Sequence, residues 1–122
     1  MIAVTEAERH VMEALWAGEP LSPDELVRAV APAQGWGEAT VKTLVNRLLK
    51  KGAIASRRAD GRTLYAPLVA RDEYVTAESQ GLLDRLFGGE LAPMVAHFAR
   101  RRALSDEEKA RLRRLLDELD RE

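Results

Sequence analysis

Apolar residues recur at helical spacing in three successive segments of the N-terminal half of the chain. Thr5 lies three residues before Glu8, which is the capping-box spacing that marks a helix start. In the second segment, Ser22 precedes Pro23, a pair that favours a helix start, and Pro32 is expected to end that helix. The pattern therefore predicts two short helices separated by a turn.

The third segment has the clearest amphipathic pattern, and Gly52 follows its last residue as a helix C-cap. Its apolar stripe consists of Val41, Leu44, Val45, Leu48 and Leu49. The opposite face carries Lys42, Thr43, Asn46, Arg47 and Lys50. We therefore predict a third helix with one buried and one polar face.

Two short strand-like runs come next and flank Asp60-Gly61, a dipeptide that strongly favours a two-residue hairpin turn. The arginines around this turn are Arg57, Arg58 and Arg62. Three helices followed by a hairpin are the element order of a winged helix-turn-helix. We therefore predict a mainly α chain with a winged-helix domain over residues 1–69.

After this domain the pattern changes to three amphipathic helices, which we predict over residues 70–122. Their apolar positions include Leu82, Leu86, Phe87, Val95, Phe98, Leu112, Leu115, Leu116 and Leu119. Roughly fifty residues of short helices do not easily bury their own apolar faces, so we expect a second copy to cover them in a homodimer. The alternative is that these helices fold back on the first domain and leave a monomer.

Composition excludes several classes of chemistry. The 122 residues contain no cysteine, which excludes disulfides, thiolate metal sites and cysteine nucleophiles. The two histidines, His10 and His97, lie far apart in sequence, and no glycine-rich phosphate loop is present. We expect no metal, no cofactor and no enzymatic activity. No apolar run reaches about 20 residues, so we expect a cytoplasmic protein without a membrane partner.

The net charge of −1 conceals an uneven distribution of charged residues. Residues 39–66 contain seven basic residues and one acidic residue, whereas residues 1–38 contain two basic and seven acidic residues. A basic block of this kind is typical of a surface that binds a polyanion. The alternative is an ordinary solvated face, where most lysine and arginine lie.

A helix with a basic face fits the major groove of double-stranded DNA. The candidate contacts on the third helix are Thr40, Lys42, Thr43, Asn46, Arg47 and Lys50, among which Lys42, Thr43 and Arg47 are favoured. Thr40 has an alternative role as a helix cap, and Asn46 as an ordinary exposed residue. The three hairpin arginines suit phosphate or minor-groove contacts, although edge charges also keep hairpins soluble. The competing function is a winged-helix module that binds a protein and does not read DNA.

The segment "TVKTLVNRLLKKGAI", the hairpin after it and the later "LFGG" resemble the penicillinase-repressor family of BlaI, MecI and CopY regulators. The similarity also includes "TEAERHVMEALWAGEPLSPDELV" and extends over nearly the whole chain. This resemblance implies a repressor that binds an inverted-repeat operator with its N-terminal domain and dimerises through its C-terminal helices.

The resemblance also bears on how repression is relieved. In the β-lactam-responsive members, a signal-activated protease leads to cleavage of an Asn-Phe bond in the C-terminal helices. The corresponding bond here is His97-Phe98, which departs from that pattern; an alternative role for Phe98 is to anchor the dimer core. The copper-responsive members carry a cysteine-rich metal site, which this chain lacks.

Overall fold

The computed structural model describes residues 2–18 and 20–121 and contains two compact units, Met1–Val75 and Thr76–Glu122. The first unit holds three helices and a two-stranded sheet, in the order α1 (Glu6–Ala17), α2 (Pro23–Gln34), α3 (Glu38–Lys51), β1 (Ile54–Ala59) and β2 (Arg62–Pro67). This order confirms the predicted winged helix-turn-helix.

Helices α1 and α2 both begin with complete capping boxes. The Thr5 hydroxyl accepts the Glu8 N–H at 3.2 Å, and the Glu8 carboxylate accepts the Thr5 N–H at 2.9 Å. Ser22 and Glu25 form the same pair of bonds, at 3.2 and 2.9 Å. A side-chain cap stabilises a helix by about 1 kcal/mol, so these short motifs fix where the two helices start.

The prediction that α2 ends before Pro32 is wrong, because the helix continues to Gln34. Pro32 is exposed in the last helical turn, where its missing N–H removes only one hydrogen bond. Gly35 then ends the helix in the left-handed conformation, with φ at 69°, and donates its N–H to the carbonyls of Ala31 and Pro32.

The two strands form an antiparallel hairpin in which Ile54 lies opposite Pro67 and Ala59 opposite Arg62. Asp60 and Gly61 connect them with φ values of 53° and 74°, the positive values that a type I′ turn requires. A single β-bridge joins this hairpin to the segment before α2. In it, Leu21 and Tyr65 exchange backbone hydrogen bonds of 3.1 and 2.8 Å. The wing is therefore attached to the start of α2.

The hydrophobic core of the first unit lies between the three helices and the hairpin. Its buried apolar residues are Val4, Val11, Met12, Leu15, Leu26, Val30, Ala31, Val41, Leu44, Val45, Leu48, Ala53, Ile54 and Tyr74. Tyr74 belongs to α4 (Arg71–Leu86), and its ring lies 5.4 Å from that of Trp16. The indole N–H of Trp16 donates to the Val69 carbonyl at 2.8 Å. These contacts fix the first turn of α4 to the winged helix.

The second unit contains the rest of α4, followed by α5 (Leu91–Arg100) and α6 (Asp106–Asp120). The Ser105 hydroxyl caps α6 by accepting the Glu108 N–H at 3.1 Å. None of its described residues, 76–121, is buried. Over residues 2–18 and 20–121, each helix is too short or too polar to span a bilayer.

Candidate nucleic-acid interface

Helix α3 presents a continuous polar face because its apolar stripe is buried in the core. Val41, Leu44 and Leu48 are at most 4% exposed, which directs the opposite face of the helix outwards. All six predicted contact residues of this helix are exposed, namely Thr40, Lys42, Thr43, Asn46, Arg47 and Lys50. Thr40 is not the helix cap, because Gly37 occupies the N-cap position.

Two of these side chains have partners on α3 itself. The Lys42 ammonium lies 2.9 Å from the Glu38 carboxylate, and this hydrogen bond raises the pKa of Lys42. The Thr43 hydroxyl donates to the Ala39 carbonyl at 3.0 Å, so its lone pairs are what it can offer to a ligand. Glu38 and Ala39 are both exposed, so water readily replaces these two contacts.

Arg47 and Lys50 carry the positive charge of this face without an acidic partner. No carboxylate of residues 2–18 or 20–121 forms an ion pair with either side chain. Arg47 has the planar donor group that matches phosphate oxygens and the edge of guanine. The second half of α3 is therefore the most available cationic surface on the helix.

The three hairpin arginines do not form one cluster. Arg58 bonds to the Thr63 hydroxyl and the Gly61 carbonyl, each at 3.0 Å, and so lies against its own turn. Arg62 lies 2.9 Å from the Glu25 carboxylate at the start of α2. Arg57 leaves the strand on the side opposite to Arg58, since neighbouring strand residues alternate in direction.

The ion pair between Arg62 and Glu25 places an acid beside the wing. Hydrogen bonds from the backbone and the hydroxyl of Ser22 lower the pKa of Glu25, and the charge of Arg62 lowers it further. Glu25 therefore stays ionised and offsets Arg62, which makes Arg57 the more available wing cation. Arg28 lines the same surface hollow as Arg62, and sequence reasoning missed it because α2 is acidic overall.

A second ion pair, between Glu8 and Lys51, was also missed. Glu8 is completely buried, and its Oε1 accepts hydrogen bonds from the Lys51 ammonium at 2.5 Å and from the Thr5 N–H. Helical spacing offered a signal for it, because Glu8 lies three, four and seven residues before the buried Val11, Met12 and Leu15. Lys51 is thus a member of the basic block whose ammonium binds a buried carboxylate, although 33% of its side chain is exposed.

We expect the free energy of unfolding to decrease at acidic pH because the Glu8 carboxylate becomes protonated. Burial is the largest influence and would raise the pKa of Glu8, but the hydrogen bonds from Lys51 and Thr5 outweigh it and lower the pKa. A lowered folded-state pKa contributes stability above the unfolded value of 4.5, and this contribution is lost as pH falls through the folded value.

Urea denaturation between pH 7 and about pH 3 measures this loss. The Glu8→Gln variant cannot lose a charge over that range and should show a flatter profile. Glu6→Gln is the control, because the Glu6 ion pair with Arg9 is exposed and contributes little. Parallel profiles for wild type and Glu8→Gln would contradict the expectation.

Comparison with known proteins gives a consistent result. The sequence profile of the family described as "Penicillinase repressor" matches residues 4–118. A penicillinase repressor of Bacillus licheniformis is 29% identical over 115 residues, covering 94% of this chain and 90% of that protein. A penicillinase repressor of Staphylococcus aureus is 25% identical over 120 residues, covering 98% and 95%.

A solved structure resembles part of this chain. It is the solution structure of the monomeric form of Bacillus licheniformis BlaI in complex with the blaP half-operator, with 25% sequence identity and a TM-score of 0.56. The similarity covers 61% of this chain and 92% of that one.

Proposed function

Because the chain belongs to the penicillinase repressor family, we propose that it acts as a homodimer on an inverted-repeat operator in double-stranded DNA. The family is one of DNA-binding transcriptional repressors, and its members are not enzymes. The proposal assigns DNA binding to residues 1–69 and dimerisation to residues 70–122.

The observation that carries this proposal is the exposed cationic face of α3. Arg47 and Lys50 are directed outwards and have no described acidic partner, while Lys42 and Thr43 lie toward the start of the same helix. Side chains near the N-terminus of a helix reach base edges in the major groove, and basic residues further along contact phosphates. Arg57 on the wing supplies an additional phosphate contact beside the helix.

The exposed apolar surface of the second unit supports dimerisation. Its side chains line an open groove of about 570 Å³ between α4 and α5, with Leu82, Leu83, Leu91, Met94 and Phe98 among them. The exposed large apolar residues of this unit are Leu82, Leu86, Leu91, Phe98, Leu115, Leu116 and Leu119. Phe87, Val95 and Leu112 are half-buried. A second copy would remove this surface from water.

Relief of repression by proteolysis is part of the same proposal. The bond between His97 and Phe98 lies inside α5, and both residues are exposed. Cutting it would separate α6 from the rest of the chain and remove the apolar stripe of Leu115, Leu116 and Leu119 from the surface that a second copy covers. A dimer that binds two half-sites gains affinity because its linked subunits raise the effective concentration of the second one. A monomer lacks this gain.

Fluorescence anisotropy of the purified chain tests this function on the DNA upstream of its own gene and on a scrambled duplex of equal length. Because phosphate contacts make affinity depend on salt, the titrations are repeated at several salt concentrations. We expect tight, salt-dependent binding to the upstream duplex alone, saturating at two chains per duplex. Equal weak binding to both duplexes would contradict sequence recognition. Absence of binding at low salt would instead favour the protein-interaction function.

A further inference from the structure

Lys51, the last residue of α3, points away from the polar face of that helix. Its ammonium donates to the Ala3 carbonyl at 3.0 Å and to Glu8 Oε1 at 2.5 Å. Ala3 precedes α1, and Glu8 lies in its first turn. One side chain therefore connects the C-terminal end of α3 to the beginning of α1.

The environment of Glu8 makes this connection costly to break. The carboxylate is fully buried, and its Oε2 accepts no hydrogen bond from the described residues. Its negative charge is thus balanced by Lys51 and by hydrogen bonds to Oε1 alone. If Lys51 turned outwards to a DNA phosphate, a buried carboxylate would be left without its cation, which is strongly unfavourable.

The two ends of α3 are held differently. α1 and α2 begin with capping boxes, whereas α3 begins at Gly37 with no side-chain cap. At the other end, Gly52 closes the helix with φ at 77° and donates its N–H to the carbonyls of Leu48 and Leu49. The side chain that anchors α3 to another helix is therefore that of Lys51, at the C-terminal end of α3.

Building on the proposed DNA-binding function, we propose that Lys51 and Glu8 are positioning residues, which fix the C-terminal end of α3 against α1 without touching DNA. They fix the orientation of α3 within the winged helix and thereby the direction in which its polar face points. This distinguishes Lys51, which is paired with Glu8, from its exposed neighbour Lys50, which has no acidic partner among the described residues and is suited to phosphate contact. Adjacent lysines in one basic block thus have different roles.

The test compares a double variant, Glu8→Gln with Lys51→Met, with the single variant Lys50→Met. The double variant removes both charges together and keeps an amide oxygen for the Thr5 N–H, so it avoids an unpaired buried carboxylate. Binding to the upstream and scrambled duplexes is measured by anisotropy at several salt concentrations. Circular dichroism establishes that each variant is folded under these conditions.

For the double variant, we expect affinity for the upstream duplex to fall about tenfold, with an unchanged dependence on salt. For Lys50→Met, we expect the slope of log affinity against log salt to decrease by about one, because a phosphate contact is lost. A similar decrease in slope for the double variant would overturn the proposal by showing that Lys51 contacts phosphate. Unchanged affinity and selectivity in the folded double variant would overturn it as well.

Amide hydrogen exchange gives a second readout that does not depend on DNA. We expect faster exchange in the last turn of α3, at Leu48 to Lys51, in the double variant but not in Lys50→Met, while α2 remains protected. Unchanged exchange in that turn would refute the positioning role. Failure of the wild-type chain to bind the upstream duplex would refute the proposed function instead, and the exchange result would still decide the role of Lys51.

Discussion

Replacing Arg47 by glutamate will abolish selective binding to the upstream duplex without unfolding the chain. Arg47 is exposed on the polar face of α3 and forms no ion pair with the described carboxylates, so the fold does not depend on its charge. The substitution removes a cation from the surface and places an anion against the DNA backbone. We expect at least a hundredfold loss of affinity, equivalent to about 2.7 kcal/mol.

Arg113→Glu is the matched control for this experiment. It makes the same change of charge at an exposed position of α6, outside the winged helix, and is expected to bind the upstream duplex like the wild type. Both variants are compared by anisotropy, thermal unfolding and sedimentation. If Arg47→Glu retains its affinity for the upstream duplex, α3 is not the recognition helix.

Replacing Leu115 and Leu116 together by aspartate will convert the proposed homodimer into a monomer. These side chains are 53% and 61% exposed on the apolar stripe of α6, so in a dimer their substitution would place two carboxylates in an apolar interface. We expect the dissociation constant of the dimer to rise more than about a hundredfold. Sedimentation velocity over a range of protein concentrations measures this change.

The control pair is Arg113→Asp with Arg114→Asp, two adjacent exposed residues on the polar side of the same helix. It introduces the same number of aspartates and is expected to leave the dimer unchanged. A loss of association in the control would attribute the effect to helix stability. Dimers of unchanged affinity in the leucine variant would refute an interface formed by α6.

The sequence predicted those features of the fold that are encoded within a few residues. The starts of α1, α2 and α6 follow from a hydroxyl placed before the first turn, and the wing follows from Asp60-Gly61. The exposed face of α3 follows from its apolar periodicity alone. Each of these signals lies within a few neighbouring residues, and contacts between distant segments do not override it.

The features that sequence reasoning missed depend on contacts between distant segments. Arg62 and Glu25 are 37 residues apart, and Lys51 and Glu8 are 43 residues apart. Charge counting treated the cations of residues 39–66 as one basic block, whereas packing pairs Lys51 with Glu8 and Arg62 with Glu25. The end of α2 was missed because Gly35 closes the helix beyond a proline that local rules treat as a stop.

Glu8 and Glu25, the glutamates of the two capping boxes, occupy positions that tolerate few other amino acids. Glutamate and glutamine serve equally well at the third position of a capping box, because either side chain accepts the N–H of the capping residue. Here Glu8 and Glu25 also each bind a distant cation, which glutamine cannot neutralise. A Glu8→Gln substitution that is silent in an isolated helix would therefore weaken the attachment of α3, and stability screens on the separate helices would not detect it.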